Sequence, residues 1–171
     1  MKRKGFVGII IFALIISSMV TVFADLPPLS DNEALWAFGG EGDAYVLKGH
    51  GVGYTCTIGA YSPTNSLWTV SMPDGSYRIK NGASPYECVT RAQTQQSDSS
   101  GVYYNCIGRP YNESGIGSRQ KLIFYTDTQY IKVSEGAAYL MSASTTVTSC
   151  DAIFRPLIIY PKGARWAVDV Y

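Results

Sequence analysis

The one side chain suited to moving a proton near neutral pH is His50, set in Gly49-His50-Gly51-Val52-Gly53. Together with Asp43, or with Asp43 and one of the many serines, it would supply the base of a small hydrolase. Its surroundings favour a plainer role. The flanking glycines make a bent connection, and neither a Gly-x-Ser-x-Gly elbow nor a His-Glu-x-x-His helix accompanies it. Sugar hydrolysis would need paired carboxylates, but Glu41, Asp43, Asp74, Glu87, Asp127 and Glu135 fall mostly in turns, where they read as solvated residues. Gly39-Gly40-Glu41-Gly42 lacks the Lys-Ser/Thr that would make it a phosphate loop. The expectation is a non-enzymatic chain without a cofactor, with His50 and Asp43 the candidates should an activity exist.

The other reactive groups are Cys56, Cys88, Cys106 and Cys150. With one histidine and no Cys-x-x-Cys pair, they do not form a zinc site, and no metal is expected. An even count in an exported chain reads as two disulfides, for which three pairings exist. Cys88 and Cys106 sit symmetrically about the polar tip Gln95–Gly101, between two strand-like runs. The favoured pairing is therefore Cys88–Cys106 across a hairpin, leaving Cys56–Cys150 to tie the first half of the domain to its last third.

That reading needs an oxidising compartment, and the front of the chain points to one. Lys2-Arg3-Lys4 precedes an apolar run from Phe6 to Phe23, and Val22 and Ala24 stand three residues and one residue before a cleavage site at Asp25. Residues 1–24 thus read as a signal peptide of a secreted or periplasmic protein, which has no stable membrane insertion once the signal is cut. Two alternatives stay open. The run is long enough to remain as an uncleaved anchor, and Lys2-Arg3-Lys4-Gly5-Phe6 resembles the short leader of type IV pilins, cut after the glycine, although the fifth residue after that glycine is Ile10 and Pro27-Pro28 would end a pilin stem early. Removing 24 of 171 residues leaves 147, the size of one domain, and takes three basic residues away, so the net charge of +1 becomes −2. With no basic cluster left, a nucleic-acid partner is excluded.

Binding is the remaining use for so polar and tyrosine-rich a surface. Residues 98–118 are poor in apolar side chains, and residues 109–118 read as a long exposed loop. Tyr103, Tyr104, Arg109, Tyr111 and Asn112 form the candidate binding face, since tyrosine packs through its ring while its hydroxyl stays wet. The partner expected is another protein, in the role of inhibitor, toxin-immunity factor or host-interaction factor, with a small secreted hydrolase or a pilus subunit as alternatives. Asn112-Glu113-Ser114 is also a glycosylation triplet.

These groups must be positioned mainly by strands. Ser30-Asp31-Asn32-Glu33 has the form of a capping box ahead of Ala34–Phe38, which predicts one short helix before Gly39-Gly40. Strands are expected over residues 44–48, 53–58, 66–72, 76–80, 86–93, 102–107, 121–126, 130–133, 138–142 and 152–160, with no visible internal repeat. Pro73-Asp74-Gly75 makes residues 66–80 a hairpin, with Trp68, Val70 and Met72 on one face. The fold class is all-β, mainly antiparallel: a small disulfide-stapled sandwich or barrel with one short N-terminal helix. Residues 25–43 form the helix and linker, and residues 44–171 a single β-rich domain.

In order along the chain, Tyr54-Thr55-Cys56, Met72-Pro73-Asp74-Gly75, Leu122-Ile123-Phe124-Tyr125-Thr126 and Cys150 resemble landmarks of bacterial periplasmic inhibitors of C-type lysozyme, which are small β-barrels. The acidic Gly-Asp-Glu-Ala of that family is replaced by Asp127-Thr128-Gln129-Tyr130, and the Cys88–Cys106 region stands as an insertion. The resemblance implies a barrel and a protein-blocking role, but not the family's inhibitory loops.

Overall fold

A computed structural model describes residues 36–40, 46–82, 86–111, 116–125, 127–144, 149–156 and 163–170. Its strands are β1 (Trp36–Gly40), β2 (Val46–Lys48), β3 (Thr57–Gly59), β4 (Thr69–Ser71), β5 (Arg78–Asn81), β6 (Glu87–Asp98), β7 (Gly101–Pro110), β8 (Leu122–Tyr125), β9 (Tyr130–Val133), β10 (Tyr139–Ser142), β11 (Cys150–Arg155) and β12 (Trp166–Val170). A single helical turn, α1 (Gly117–Gln120), precedes β8. All the strand pairings among the described residues are antiparallel, as the alternating sequence pattern requires.

The hairpin over residues 66–80 forms as expected, pairing Thr69 with Lys80, Val70 with Ile79 and Ser71 with Arg78. Gly75 takes φ +78°, which an L side chain adopts only under strain, and the Asp74 carboxylate accepts the Ser76 hydroxyl at 2.6 Å. Asp74 also pairs with Lys121 at 2.6 Å and with Arg78 at 3.0 Å, joining the hairpin to the start of β8. Lys121, with help from Ser76 and Arg78, holds its carboxyl well below the ordinary value of 3.8. Stability drawn from this site is therefore present above that value and lost as pH falls below it. Asp74→Asn should lower the neutral thermal midpoint by a small amount, because the carboxylate is exposed, and leave the midpoint at low pH unchanged, so that the acid limb of a plot of midpoint against pH flattens by that amount. An unchanged acid limb would show that the two ion pairs do not form.

The twelve strands among the described residues follow a three-fold plan, with β1–β4, β5–β8 and β9–β12 as equivalent units. The first strand of each unit pairs with its second through Gly39–Val46, Lys80–Cys88 and Lys132–Tyr139. The second and third form hairpins (β2–β3, β6–β7 and β10–β11). The fourth pairs with the first of the next unit (β4–β5, β8–β9 and β12–β1), so the last strand returns to the first. The three third strands meet at a junction where β11 pairs with β3 and β7, and Thr55 bridges to Ile107. This curled, barrel-like sheet with three hairpins has the plan of a β-trefoil.

The register assigns equivalent core positions. Leu47, Val89 and Leu140 are related by the three-fold plan, as are Trp68, Leu122 and Trp166, and all six are buried. Two of the three units carry the same buried hydrogen bond: Trp68 Nε1 donates to the Leu47 carbonyl at 3.0 Å, and Trp166 Nε1 to the Leu140 carbonyl at 2.8 Å. The remaining unit, β5–β8, places Leu122 at that position and makes the contact with apolar packing alone.

Three sequence expectations are corrected. Residues 36–38 belong not to a helix but to strand β1, whose five residues each face one of β12. A two-turn helix gains little in isolation, whereas the strand gains a full ladder from a segment about 130 residues later. The remainder of the expected helix lies outside the described residues. The cysteines are free thiols, so neither expected bridge is present. Cys88 faces Arg109 while Cys106 faces Arg91, an odd offset that sends the two side chains to opposite faces of the hairpin. Opposite Cys56 stands Ala152, with Cys150 facing Ile58 instead. Finally, Met72 does not share the buried face of Trp68 and Val70; β4 ends at Ser71 and Met72 is exposed.

Candidate functional site

The hairpin of the first unit and the start of the second enclose an open pocket of about 440 Å³. Its walls are Gly49, His50, Gly51 and Val52 from the β2–β3 connection, Thr64 and Asn65 from the β3–β4 connection, Asn81 and Gly82 at the end of β5, and Glu87 at the start of β6. The β3–β4 wall is a compact turn, in which Asn65 N–H and Ser66 N–H both donate to the Ser62 carbonyl. The Asn65 carbonyl then accepts the Gly49 N–H at 2.9 Å and Asn81 Nδ2 at 3.5 Å, joining three walls.

Glu87 is the organising charge. Only 6% exposed, it accepts the His50 N–H on Oε1 at 3.1 Å and the Gly51 N–H on Oε2 at 3.0 Å, with the Cys56 thiol 3.9 Å from Oε1. Each oxygen keeps acceptor capacity beyond these bonds. Gly49 and Gly108 make this approach possible: a Cβ on Gly49 would stand 2.4 Å from Oε2, and one on Gly108 2.5 Å from Oε1. Burial raises the Glu87 carboxyl above its ordinary 4.5, against the opposing pull of the Gly51 and His50 amides. Its sign is opposite to that of Asp74: the stability it contributes is full below pH 4.5 and lost as pH rises through the folded value. Among the described residues no cation pairs with it.

His50 does line the pocket, but its Nε2 meets Thr57 Oγ1 at 2.8 Å rather than a carboxylate. Asp43 lies outside the described residues, and among those described no three His, Cys, Asp or Glu residues gather as metal ligands. Asn65 Oδ1 is buried in the pocket wall without a hydrogen-bond partner, and Tyr54, 65% exposed, stands beside Gly51.

The residues expected to bind sit elsewhere. Tyr103 and Tyr104 lie in strand β7, where a strand was expected over residues 102–107; Arg109, expected in a loop, belongs to the same strand, and Asn112 lies outside the described residues. Tyr104 stacks under Arg91, with the guanidinium 4.3 Å from the ring centre, and Tyr103 under Arg155 at 5.4 Å. Tyr111 and Tyr86 enclose the buried Lys80 ammonium at 4.6 and 5.2 Å. Each ring thus carries one of the protein's own cations. The sequence signal for Glu87 lies in its partner, the glycine-flanked segment Gly49-His50-Gly51, where Gly49 leaves room for the carboxylate.

No family model and no curated protein matches the chain. Solved structures do. A chain of the PSL1a-E64 complex superposes with a TM-score of 0.55 at 16% identity, over 82% of this chain and 47% of that one. Polyporus squamosus lectin bound to the human-type influenza-binding epitope Neu5Aca2-6Galb1-4GlcNAc superposes with a TM-score of 0.59 at 18% identity, over 82% of this chain and 49% of that one. The chain spans about half the length of these solved chains. At such identities, what they share with it is the fold.

Proposed function

We propose that this chain is an exported, non-enzymatic glycan-binding domain that takes sugar hydroxyls in the pocket around Glu87. The observation that carries the reading is the pocket itself: a buried carboxylate with spare acceptor capacity, ringed by His50, Thr64, Asn65 and Asn81, with the exposed ring of Tyr54 alongside. Sugars present hydroxyl donors and apolar ring faces together, and a few convergent polar groups beside an aromatic meet both. The unpartnered Asn65 Oδ1 adds an acceptor that a ligand donor would satisfy. The likeness in fold to a glycan-binding lectin supports the reading. The export signal in residues 1–24 would place the domain where surface glycans are met, which fits a host-interaction factor better than an inhibitor or immunity protein; recovery of a chain starting at Asp25 tests that address.

The test is retention on arrayed glycans. The exported protein should bind at least one neutral glycan, and Asn81→Ala or Glu87→Gln should weaken it about tenfold each, the worth of one lost hydrogen bond to a buried polar group. A folded protein that retains no glycan, or variants that bind as tightly as the parent, would sink the proposal.

A further inference from the structure

The cysteines, unpaired as thiols, are not equally placed. Thr55 and Ile107 form an antiparallel bridge at the three-fold junction, which sets Cys56 directly opposite Cys106. The Cys56 N–H donates to the Cys106 carbonyl at 2.8 Å, and both side chains are fully buried in the same apolar cluster. Directly opposed antiparallel residues have Cα atoms about 5.5 Å apart, inside the span of roughly 4.4–6.8 Å that a disulfide bridges. The third residue at the junction is Ala152, whose N–H donates to the Cys56 carbonyl, so the junction holds two sulfurs. The other thiols are spoken for. Cys88 points to the far face of its hairpin, and Cys150 contacts the Ser142 hydroxyl at 3.1 Å and the Ser144 carbonyl at 3.5 Å.

We infer that Cys56 and Cys106 are the pair this chain oxidises, giving one disulfide across the β3–β7 junction and leaving Cys88 and Cys150 as thiols. The oxidant is a disulfide, such as that of a thiol oxidase or of oxidised glutathione. One cysteine thiolate attacks the oxidant's disulfide, forming a mixed disulfide and releasing one thiol. The second thiolate then attacks the mixed disulfide at the protein's sulfur, closing Cys56–Cys106 and releasing the second thiol. The protein gives up two protons and two electrons, and the oxidant takes them. The step belongs to folding, before the junction closes. In the folded protein, contact with Cys106 and burial push the Cys56 thiol far up, so little of the attacking thiolate remains. The cross-link stands directly behind the pocket, since the Cys56 sulfur lies against Glu87 and Gly53 N–H donates to the Gly108 carbonyl at 2.8 Å.

The experiment refolds the full chain from its reduced state in a mixture of oxidised and reduced glutathione, then denatures it without reductant, alkylates it and maps the peptides. The expected result is a mass lower by two hydrogens before alkylation, two alkylated residues, Cys88 and Cys150, and one cross-linked pair containing Cys56 and Cys106. Four alkylated cysteines, or peptides joining Cys88 to Cys106 or Cys56 to Cys150, would overturn it. Cys106→Ser should abolish the cross-link. The double variant Cys88→Ser with Cys150→Ser should keep it, and its loss there would also overturn the assignment.

Discussion

Trp68→Ala is expected to remove about 3–5 kcal/mol of folding stability, the range for deleting a fully buried indole. A domain of this size has about 5–15 kcal/mol in all, so the variant should be close to unfolding, with a thermal midpoint lower by roughly ten degrees. Two losses combine. The indole is fully buried, so alanine leaves a cavity in the centre of the first unit, and the Leu47 carbonyl loses its donor, Nε1 at 3.0 Å. Trp68→Phe separates them, because it keeps most of the ring and discards only the donor; it should cost about 1–3 kcal/mol, the penalty of an orphaned buried carbonyl. The three-fold plan supplies an internal control. Leu122 fills the equivalent position without such a bond, so Leu122→Ala should show the cavity loss alone. Urea midpoints at unchanged slope measure all three. A Trp68→Ala midpoint indistinguishable from that of Trp68→Phe would mean that the cavity does not form.

The parts of this fold that the sequence revealed are those decided by neighbours. Pro73-Asp74-Gly75 specifies its own turn, and in Ile131-Lys132-Val133 two buried apolar residues flank a half-exposed lysine, the local pattern of a strand. The errors concern partners far away in the chain. Ser30-x-x-Glu33 is a sound local helix signal, but Trp36–Gly40 is claimed by Trp166–Val170, which no local pattern announces. The three-fold plan is equally hidden, because equivalent positions need only similar volume: Trp68, Leu122 and Trp166 share a place and not an identity. Symmetry about a polar tip suggested Cys88–Cys106, yet only the register could show an odd offset between them. The same distance effect hid the candidate site. Glu87 looked like one more solvated carboxylate because the amides that hold it, those of His50 and Gly51, lie 37 and 36 residues earlier.

Gly108→Ala should damage the pocket more than the fold. Gly108 is not among the positive-φ glycines, so alanine suits its backbone and the outcome rests on space. The new methyl would lie 2.5 Å from Glu87 Oε1, 2.7 Å from its Cγ and 2.5 Å from the Gly51 carbonyl oxygen. The last of these is backbone and cannot swing aside like a side-chain tip. Relief requires either expelling Glu87 or shifting the Gly49–Gly53 connection, and each breaks the bond from Gly51 N–H to Oε2. Overpacking of this kind costs about 1–3 kcal/mol, which a folded domain survives. Glycan retention depends on Glu87 staying in place and should fall more than tenfold, beyond the effect of Asn81→Ala, which removes one donor and leaves the carboxylate in position. Gly117→Ala is the matched control: a Cβ there meets nothing within 4 Å, so both stability and binding should stay at the level of the parent or slightly above. If Gly108→Ala melts and binds like the Gly117→Ala control, then Glu87 is not packed against Gly108, and the pocket described around it is wrong.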